Sequence, residues 1–231
     1  MIERNKKGYF MSHLGLIIGI VFIFFPVWLT FVASTVTQED IIQPPFPLLP
    51  GPHFFENYSY ALFEGTPEGY GKNIPVIKLL INSAIMALGI TIGKIIISLL
   101  SAFAIVYFRF PGRKFFFWLI FITLMLPVEV RIVPTYEIAA KLNLLNSYAG
   151  LIFPLIASAT ATFLFRQFFM TIPNEMVEAA RMDGAKPMKF FIDILIPISR
   201  TNIAALFVIL FIYGWNQYLW PLLMTTDPNM N

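Results

Sequence analysis

Cysteine is absent from this 231-residue sequence, and histidine nearly so. Without a thiol there is no disulfide, no thiolate metal site and no thiol catalysis. The two histidines, His13 and His53, are too few and too far apart for a metal cluster. Charge is scarce as well. Asp, Glu, Lys and Arg make up 13% of the residues, against about 25% in a soluble domain. No GxxxxGK[ST] loop is present, so the chain supplies no phosphate-binding loop for a nucleotide. Nor is there a repeat, a low-complexity tract, or the ~10-residue alternation that marks a membrane β-barrel strand.

What the sequence has instead is apolar length. Hydrophobic residues make up 58% of the chain, with 25 Phe and 10 Met. A helix crossing ~30 Å of hydrocarbon needs about 20 mostly apolar residues. Five segments read as spans: 14–33, 79–107, 115–133, 148–165 and 203–224. The reading is an all-α integral membrane protein. Residues 1–13 form a leading tail, 14–224 the membrane domain, and 225–231 a short outer tail. A basic head precedes the first apolar run, which is 20 residues long. That exceeds the 7–15 residues usual in a cleaved signal, so an uncleaved first span is expected.

Basic residues set the orientation. Arg4, Lys6 and Lys7, then Arg109, Arg113 and Lys114, then Arg166, Arg181, Lys186, Lys189 and Arg200 fall on one side, 11 in all. The opposite side carries Lys72, Lys78, Arg131 and Lys141, and its first loop holds Glu39, Asp40, Glu56, Glu64 and Glu68. The N-terminus and the 166–202 region are therefore expected in the cytoplasm. The net charge of +3 follows from this bias and does not point to nucleic acid. The Pro- and aromatic-rich stretch 35–75 reads as an ordered outer cap with little regular structure.

The 172–200 loop has its own helical punctuation. Pro173 ends the helix before it. Asn174 is the expected N-cap, and Glu175 and Glu178 lie near the positive end of the helix dipole. Met176, Val177 and Ala180 share a face. Gly184 is the expected residue just past the helix end, where a positive φ costs glycine nothing. Pro187 suits the first turn of a second helix, with Met188, Phe190 and Phe191 as its apolar contacts. Membrane-surface binding is the alternative. Against it, the apolar face is small, and Glu175, Glu178 and Asp183 would repel an anionic leaflet.

Glu178-Ala179-Ala180, Gly184 six residues after Glu178, then Ile194 and Pro197, resemble the EAA loop of ATP-binding-cassette (ABC) importer permeases. One position departs: the family's usual Leu before the final Pro is Ile196. RFPGR at 109–113, MLPVEVRIVPTYEIAAKLNLLNSYAGLIFP at 125–154 and FIYGWNQYLWPLL at 211–223 extend the resemblance to the carbohydrate-type permeases related to the maltose system. The resemblance implies a type I ABC importer transmembrane domain whose 172–200 loop is a cytoplasmic coupling helix. Glu178, Ala179, Ala180, Asp183, Gly184 and Pro197 would meet the ATPase.

The implied partners are a second permease subunit in a heterodimer, two copies of a cytoplasmic ABC ATPase that bind ATP and Mg, an extracytoplasmic substrate-binding protein, and membrane lipid. No cofactor or metal is expected on this chain, and no nucleic acid. The location implied is the bacterial inner membrane. Family members usually have six spans; five are present here, so the chain reads as one span short. Within the family the resemblance is nearest to importers of sn-glycerol-3-phosphate, with glycerophosphodiesters as a further class and an uncharged sugar or oligosaccharide as the alternative.

Four polar residues are candidates for the substrate path. Lys94 lies mid-span, where a lysine costs ~2.5 kcal/mol or more and its stem cannot reach either interface. It either attracts an anionic substrate or makes a structural pair with a carboxylate or carbonyls of a partner. Arg131, beside Glu129 and flanked by Pro127 and Pro134, either brackets a broken helix near the path or joins a local ion pair. Asn216 and Gln217 could hydrogen-bond a polyol or join interhelical packing. A membrane-embedded lipid-modifying enzyme is the competing class. It would need clustered acids, His or Cys at an interface, and the only cytoplasmic acid cluster sits in the docking loop.

Overall fold

The computed structural model describes residues 6–65, 74–123, 126, 128–227 and 230, leaving aside the side chains of 6–8, 128 and 129. Among these residues every regular element is helical. The chain divides into two units, residues 1–77 and 78–231.

The first unit is built on α1 (Lys6–Ala33). Its apolar side chains stand exposed on every side, Phe22 at 81% and Ile23 at 75%. A helix apolar all round belongs in lipid. Pro26 sits inside it, and Thr30 Oγ1 donates to the Pro26 carbonyl (2.9 Å). Beyond α1 the chain folds over its own end. Thr35 is fully buried; its hydroxyl accepts from the Gly51 amide (2.8 Å) and its carbonyl from the His53 amide (3.1 Å). Asn57 Nδ2 donates to the carbonyls of Ser34 (3.1 Å) and Val36 (3.0 Å). Trp28 Nε1 donates to the Leu48 carbonyl (3.0 Å).

Residues 35–65 of the expected cap are thus folded, and more helical than their Pro content suggests; 66–73 lie outside the described residues. The folded part contains α2 (Gln38–Ile42) and α3 (Phe54–Ser59), the latter running into a π turn at Tyr60–Glu64. α2 is started by Thr37, whose hydroxyl accepts from the Asp40 amide while the Asp40 carboxylate accepts from Thr37 N and Oγ1, a capping box. Those two donors hold the Asp40 carboxyl below its ordinary value.

The second unit is organised by α4 (Val76–Tyr107), 32 residues and long enough to cross a bilayer. Its buried positions recur at helical spacing: Met86, Ile90, Lys94, Ile95, Ser98, Leu99, Ala102 and Phe103. Two apolar clusters hang on this face. Met86 and Ile90 pack in one with Ala139, Leu151, Leu155, Trp220 and Met224. Ile95, Leu99, Ala102 and Phe103 belong to the other, with Phe165, Phe169, Phe190, Leu195 and Leu206. Lys94 lies between them in sequence.

The remaining elements are shorter. α5 (Arg113–Ile122) follows a tight turn at Gly112, whose φ is 77°. α6 (Val128–Lys141) contains Pro134. The 115–133 segment is therefore divided between α5 and α6, and its residues 124, 125 and 127 lie outside the described ones. The 148–165 segment is also two pieces. α7 (Tyr148–Ile152) with a 3-10 turn at Phe153–Leu155 meets α8 (Ala159–Phe169) at a 49° bend. Pro154 and the Ser158 cap, which accepts from the Ala161 amide (3.2 Å), account for that break.

After α9 (Asn174–Met182) come α10 (Pro187–Phe190), a π turn at Phe191–Leu195 and α11 (Ile196–Ile198). The 187–198 stretch meets α12 (Arg200–Trp215) at 74°. α13 (Leu219–Met224) closes the 203–224 segment after a break at Asn216–Tyr218. Among the described residues two helices are long and apolar enough to cross a membrane, or up to four if each bent pair makes one span.

Small residues let these helices approach, as expected in lipid. A Cβ on Gly89 would meet Ile152 Cδ1 at 2.5 Å, one on Gly93 would meet Ile156 Cγ2 at 2.5 Å, and one on Gly214 would meet the Ala87 Cα at 3.0 Å.

Candidate functional site: a docking helix and a buried lysine

The short helix α9 is anchored by one side and open on the other. Ala180 is buried in the second cluster, and Val177 and Ala185 are packed partly against it. Met176, expected on the same face, is 37% exposed and outside that cluster, so the anchoring face is narrower than the sequence suggests. Glu175, Glu178, Ala179, Arg181, Met182 and Asp183 are exposed, Met182 at 84%. Among the described residues none of these charges makes an ion pair.

Both ends of α9 are set by the backbone. Pro173 occupies the N-cap position with φ −59° and ψ 140°, and no side chain caps the helix. Asn174, expected as the cap, is instead the first helical residue. Proline's ring has already fixed the extended-to-helical switch one residue earlier. At the other end the expectation holds. Gly184 has φ 74°; its amide donates to the Arg181 carbonyl (3.0 Å), and the Ala185 amide donates to Ala180 O (2.9 Å). These two bonds are the Schellman stop. Nothing lies within 4 Å of where a Gly184 Cβ would stand, so its backbone angle, not crowding within this chain, requires glycine.

Pro187 opens α10 at its first turn, as expected. Phe190 and Phe191 are buried, whereas Met188 is 53% exposed. Pro197 is half-buried within α11. The link to the long helix is aromatic. The Tyr107 ring lies 5.4 Å from that of Phe190, the Phe103 ring 4.8 Å from that of Phe191, and the Tyr107 hydroxyl donates to Phe169 O (3.3 Å). Packed rings thus join α10 and the π turn after it to the end of α4.

Lys94 is 6% exposed, and its Nζ lies 3.8 Å from the centre of the Tyr213 ring on α12. That is cation–π range. No carboxylate pairs with it among the described residues. Among the described residues the charge that acts on it is a second cation, Arg131 on α6, which is exposed. Nearby polar groups bond along or between helices: Thr91 to Ala87 O (2.7 Å) and Ser98 to Ser158 O (3.3 Å).

Gln217 and Asn216 part company. Gln217 is half-buried, donates to Tyr213 O (3.2 Å), and lines a cavity of about 300 Å³ with Asn82, Ser83, Trp215 and Tyr218. Asn216 caps α12 and points elsewhere, exposed and off that cavity. The four path candidates therefore do not share one pocket. Two residues of consequence were missed from the sequence. Tyr213 sits in the FIYGWNQ run beside the residues singled out. Tyr148 donates to Asn82 Oδ1 (2.6 Å) across 66 residues, and nothing local signals that pairing.

Residues 94–231 match the family of binding-protein-dependent transport system inner membrane components, and the chain belongs to that family as a permease subunit of an ABC importer. The chain is 61% identical over all its 231 residues to the sn-glycerol-3-phosphate transport system permease protein UgpE of Brucella abortus (strain 2308). It is 61% identical to the protein of that name from Agrobacterium fabrum and 58% to that from Yersinia pestis bv. Antiqua (strain Antiqua). In each case it spans 81% of the relative's length. Among solved structures, a chain of a bacterial ABC transporter involved in the import of the acidic polysaccharide alginate aligns with a TM-score of 0.81. That alignment covers 100% of this chain and 79% of the other, at 21% identity, which is a likeness of fold.

Proposed function

We propose that this chain forms half of a path carrying sn-glycerol-3-phosphate across the inner membrane, with a second permease subunit as the other half and alternating access driven by a separate ATPase. The observation that carries the coupling half is α9: anchored by Ala180, stopped by Gly184, and open on its Glu178 side. Glu178, Ala179, Asp183, Gly184 and Pro197 meet the ATPase, while Ala180 holds the helix to the bundle. Two ATPase copies bind ATP and Mg, and the N-terminus lies on their side of the membrane. The folded cap of residues 34–65 receives the substrate-loaded binding protein.

The substrate half rests on the names of relatives near 60% identity and on Lys94. A buried cation with a ring on one side, a second cation in its field and no carboxylate partner among the described residues suits an anionic phosphate ester. An uncharged sugar would bring that cation no counter-charge. Gln217, with Asn82, supplies hydrogen bonds to hydroxyl groups.

Coupling is tested by co-purification. The ATPase should be retained by the unmodified chain and lost with Glu178→Lys or Gly184→Asp. Full retention by both variants would place the docking surface elsewhere.

A further inference from the structure

A second cationic site lies away from Lys94. Where α4 ends, the chain turns through 108–112 and returns as α5. Arg113 Nη1 reaches back to the carbonyls of Val106 and Phe108 (3.5 Å each), which fixes its guanidinium beside the end of α4. On α8, the Arg166 guanidinium carbon lies 4.0 Å from the centre of the Phe117 ring. Arg113, Lys114 and Arg166 line a cavity of about 530 Å³ together with Phe117, Trp118 and Met170. No carboxylate lines it, and among the described residues none of the three cations makes an ion pair. Arg113 and Arg166 act on one another as like charges.

We propose that this cavity holds the headgroup phosphate of an anionic phospholipid. Two guanidinium forks and an ammonium, brought together despite repulsion, match the oxygens of a phosphate. The apolar half of the lining suits the first carbons of acyl chains. The depth also fits. The site lies at the C-terminal end of a helix long enough to cross the bilayer, which puts it at the interface where basic pockets between helices take lipid headgroups and where tryptophan is favoured. Val106 is 12 residues along α4 from Lys94, about 18 Å, so this cavity is separate from the Lys94 site. Bound lipid would brace α4, α5 and α8 against one another, next to the Tyr107–Phe190 contact that carries α10.

The test uses the assembled transporter, purified in mild detergent from membranes containing phosphatidylglycerol and cardiolipin, with retained lipid measured by mass spectrometry. R113Q/R166Q should lose anionic phospholipid about tenfold, and R113K/R166K, which keeps the charges but not the forks, should restore only part of it. R109Q, an exposed arginine on the same turn but off the cavity, should match the unmodified complex. Equal retention in R113Q/R166Q overturns the proposal, as does an equal loss in R109Q, which would mean surface charge alone. Displacement of the lipid by millimolar inorganic phosphate would assign the site to free phosphate and overturn it too. So would cross-linking of Lys114 to an acidic segment of the ATPase. Should the double variant fail to assemble, brominated phosphatidylglycerol decides on the unmodified complex. It should quench a fluorescence component that W118F lacks, and absence of that difference overturns the assignment.

Discussion

Lys94 Nζ sits 3.8 Å from the centre of the Tyr213 ring, joining α4 to α12 through a cation held by an aromatic face. Such a contact is worth up to ~2 kcal/mol when desolvated, which offsets only part of the cost of burying a lysine. The remainder is available to an arriving anion. Lys94→Met keeps the length of the side chain and removes the charge. Uptake of sn-glycerol-3-phosphate by the variant should fall roughly tenfold or more, equivalent to ~1.4 kcal/mol, while complex assembly is retained. Unimpaired uptake would reduce Lys94 to a packing residue.

Gly184 tests the docking helix by its backbone alone. At φ 74° a Cβ is disfavoured by about 1 kcal/mol or more, yet no neighbour within this chain would clash. Gly184→Ala should therefore weaken ATPase co-purification. Gly184→Asn, a residue that tolerates this conformation, should weaken it less if the backbone is what matters. If Asn is the worse of the two, contact with the partner and not the helix stop dictates the glycine.

Gly214 tests the helix packing. A side chain there would run into the α4 backbone, with Ala87 Cα 3.0 Å from the new Cβ. Gly214→Leu should destabilise the bundle by about 1–3 kcal/mol, seen as a lower midpoint of thermal unfolding in detergent. Gly15→Leu, where no atom stands within 4 Å, should leave the midpoint in place. A matching drop in both would show that the α4–α12 contact is not the cause.

The Thr37–Asp40 capping box gives a pH dependence. The Asp40 carboxyl is held below its ordinary 3.8 by bonds from Thr37. A lowered folded value means that ionised Asp40 stabilises the cap above pH 3.8, and that this contribution disappears as pH falls through the lowered value. Hydrogen exchange at the start of α2 should show the same protection, after correction for intrinsic rates, from about pH 7 to pH 5. Protection should drop only in stronger acid, and Asp40→Asn should show that drop at neutral pH. A loss already at pH 5 would contradict the account.

What could be read from the sequence was whatever local chemistry alone decides. The Gly184 stop and the Pro187 start each depend on one residue's backbone, and both appear where the spacing places them. Asn174 was misjudged as a cap because Pro173, itself a rigid residue, takes that position first. The apolar segments were legible as lengths of lipid-compatible chain. The bend at Ile156–Ser158 and the break at Asn216–Tyr218 were not, because hydropathy is blind to a change of direction within an apolar run. Lys94 was conspicuous by its charge. Its ring partner Tyr213, 119 residues later in the chain, could be found only once α4 and α12 were side by side. The same holds for the Arg113–Arg166 cavity, whose residues read in sequence as ordinary interfacial charge.

The most direct test of the central claim is uptake. The chain would be expressed with a second permease, the ATPase and the binding protein, and labelled sn-glycerol-3-phosphate compared with labelled maltose. The account predicts saturable, vanadate-sensitive uptake of sn-glycerol-3-phosphate that is lost with Glu178→Lys, and no comparable uptake of maltose. Uptake of maltose in preference to sn-glycerol-3-phosphate, or phosphate-ester uptake that persists with Glu178→Lys, would contradict it.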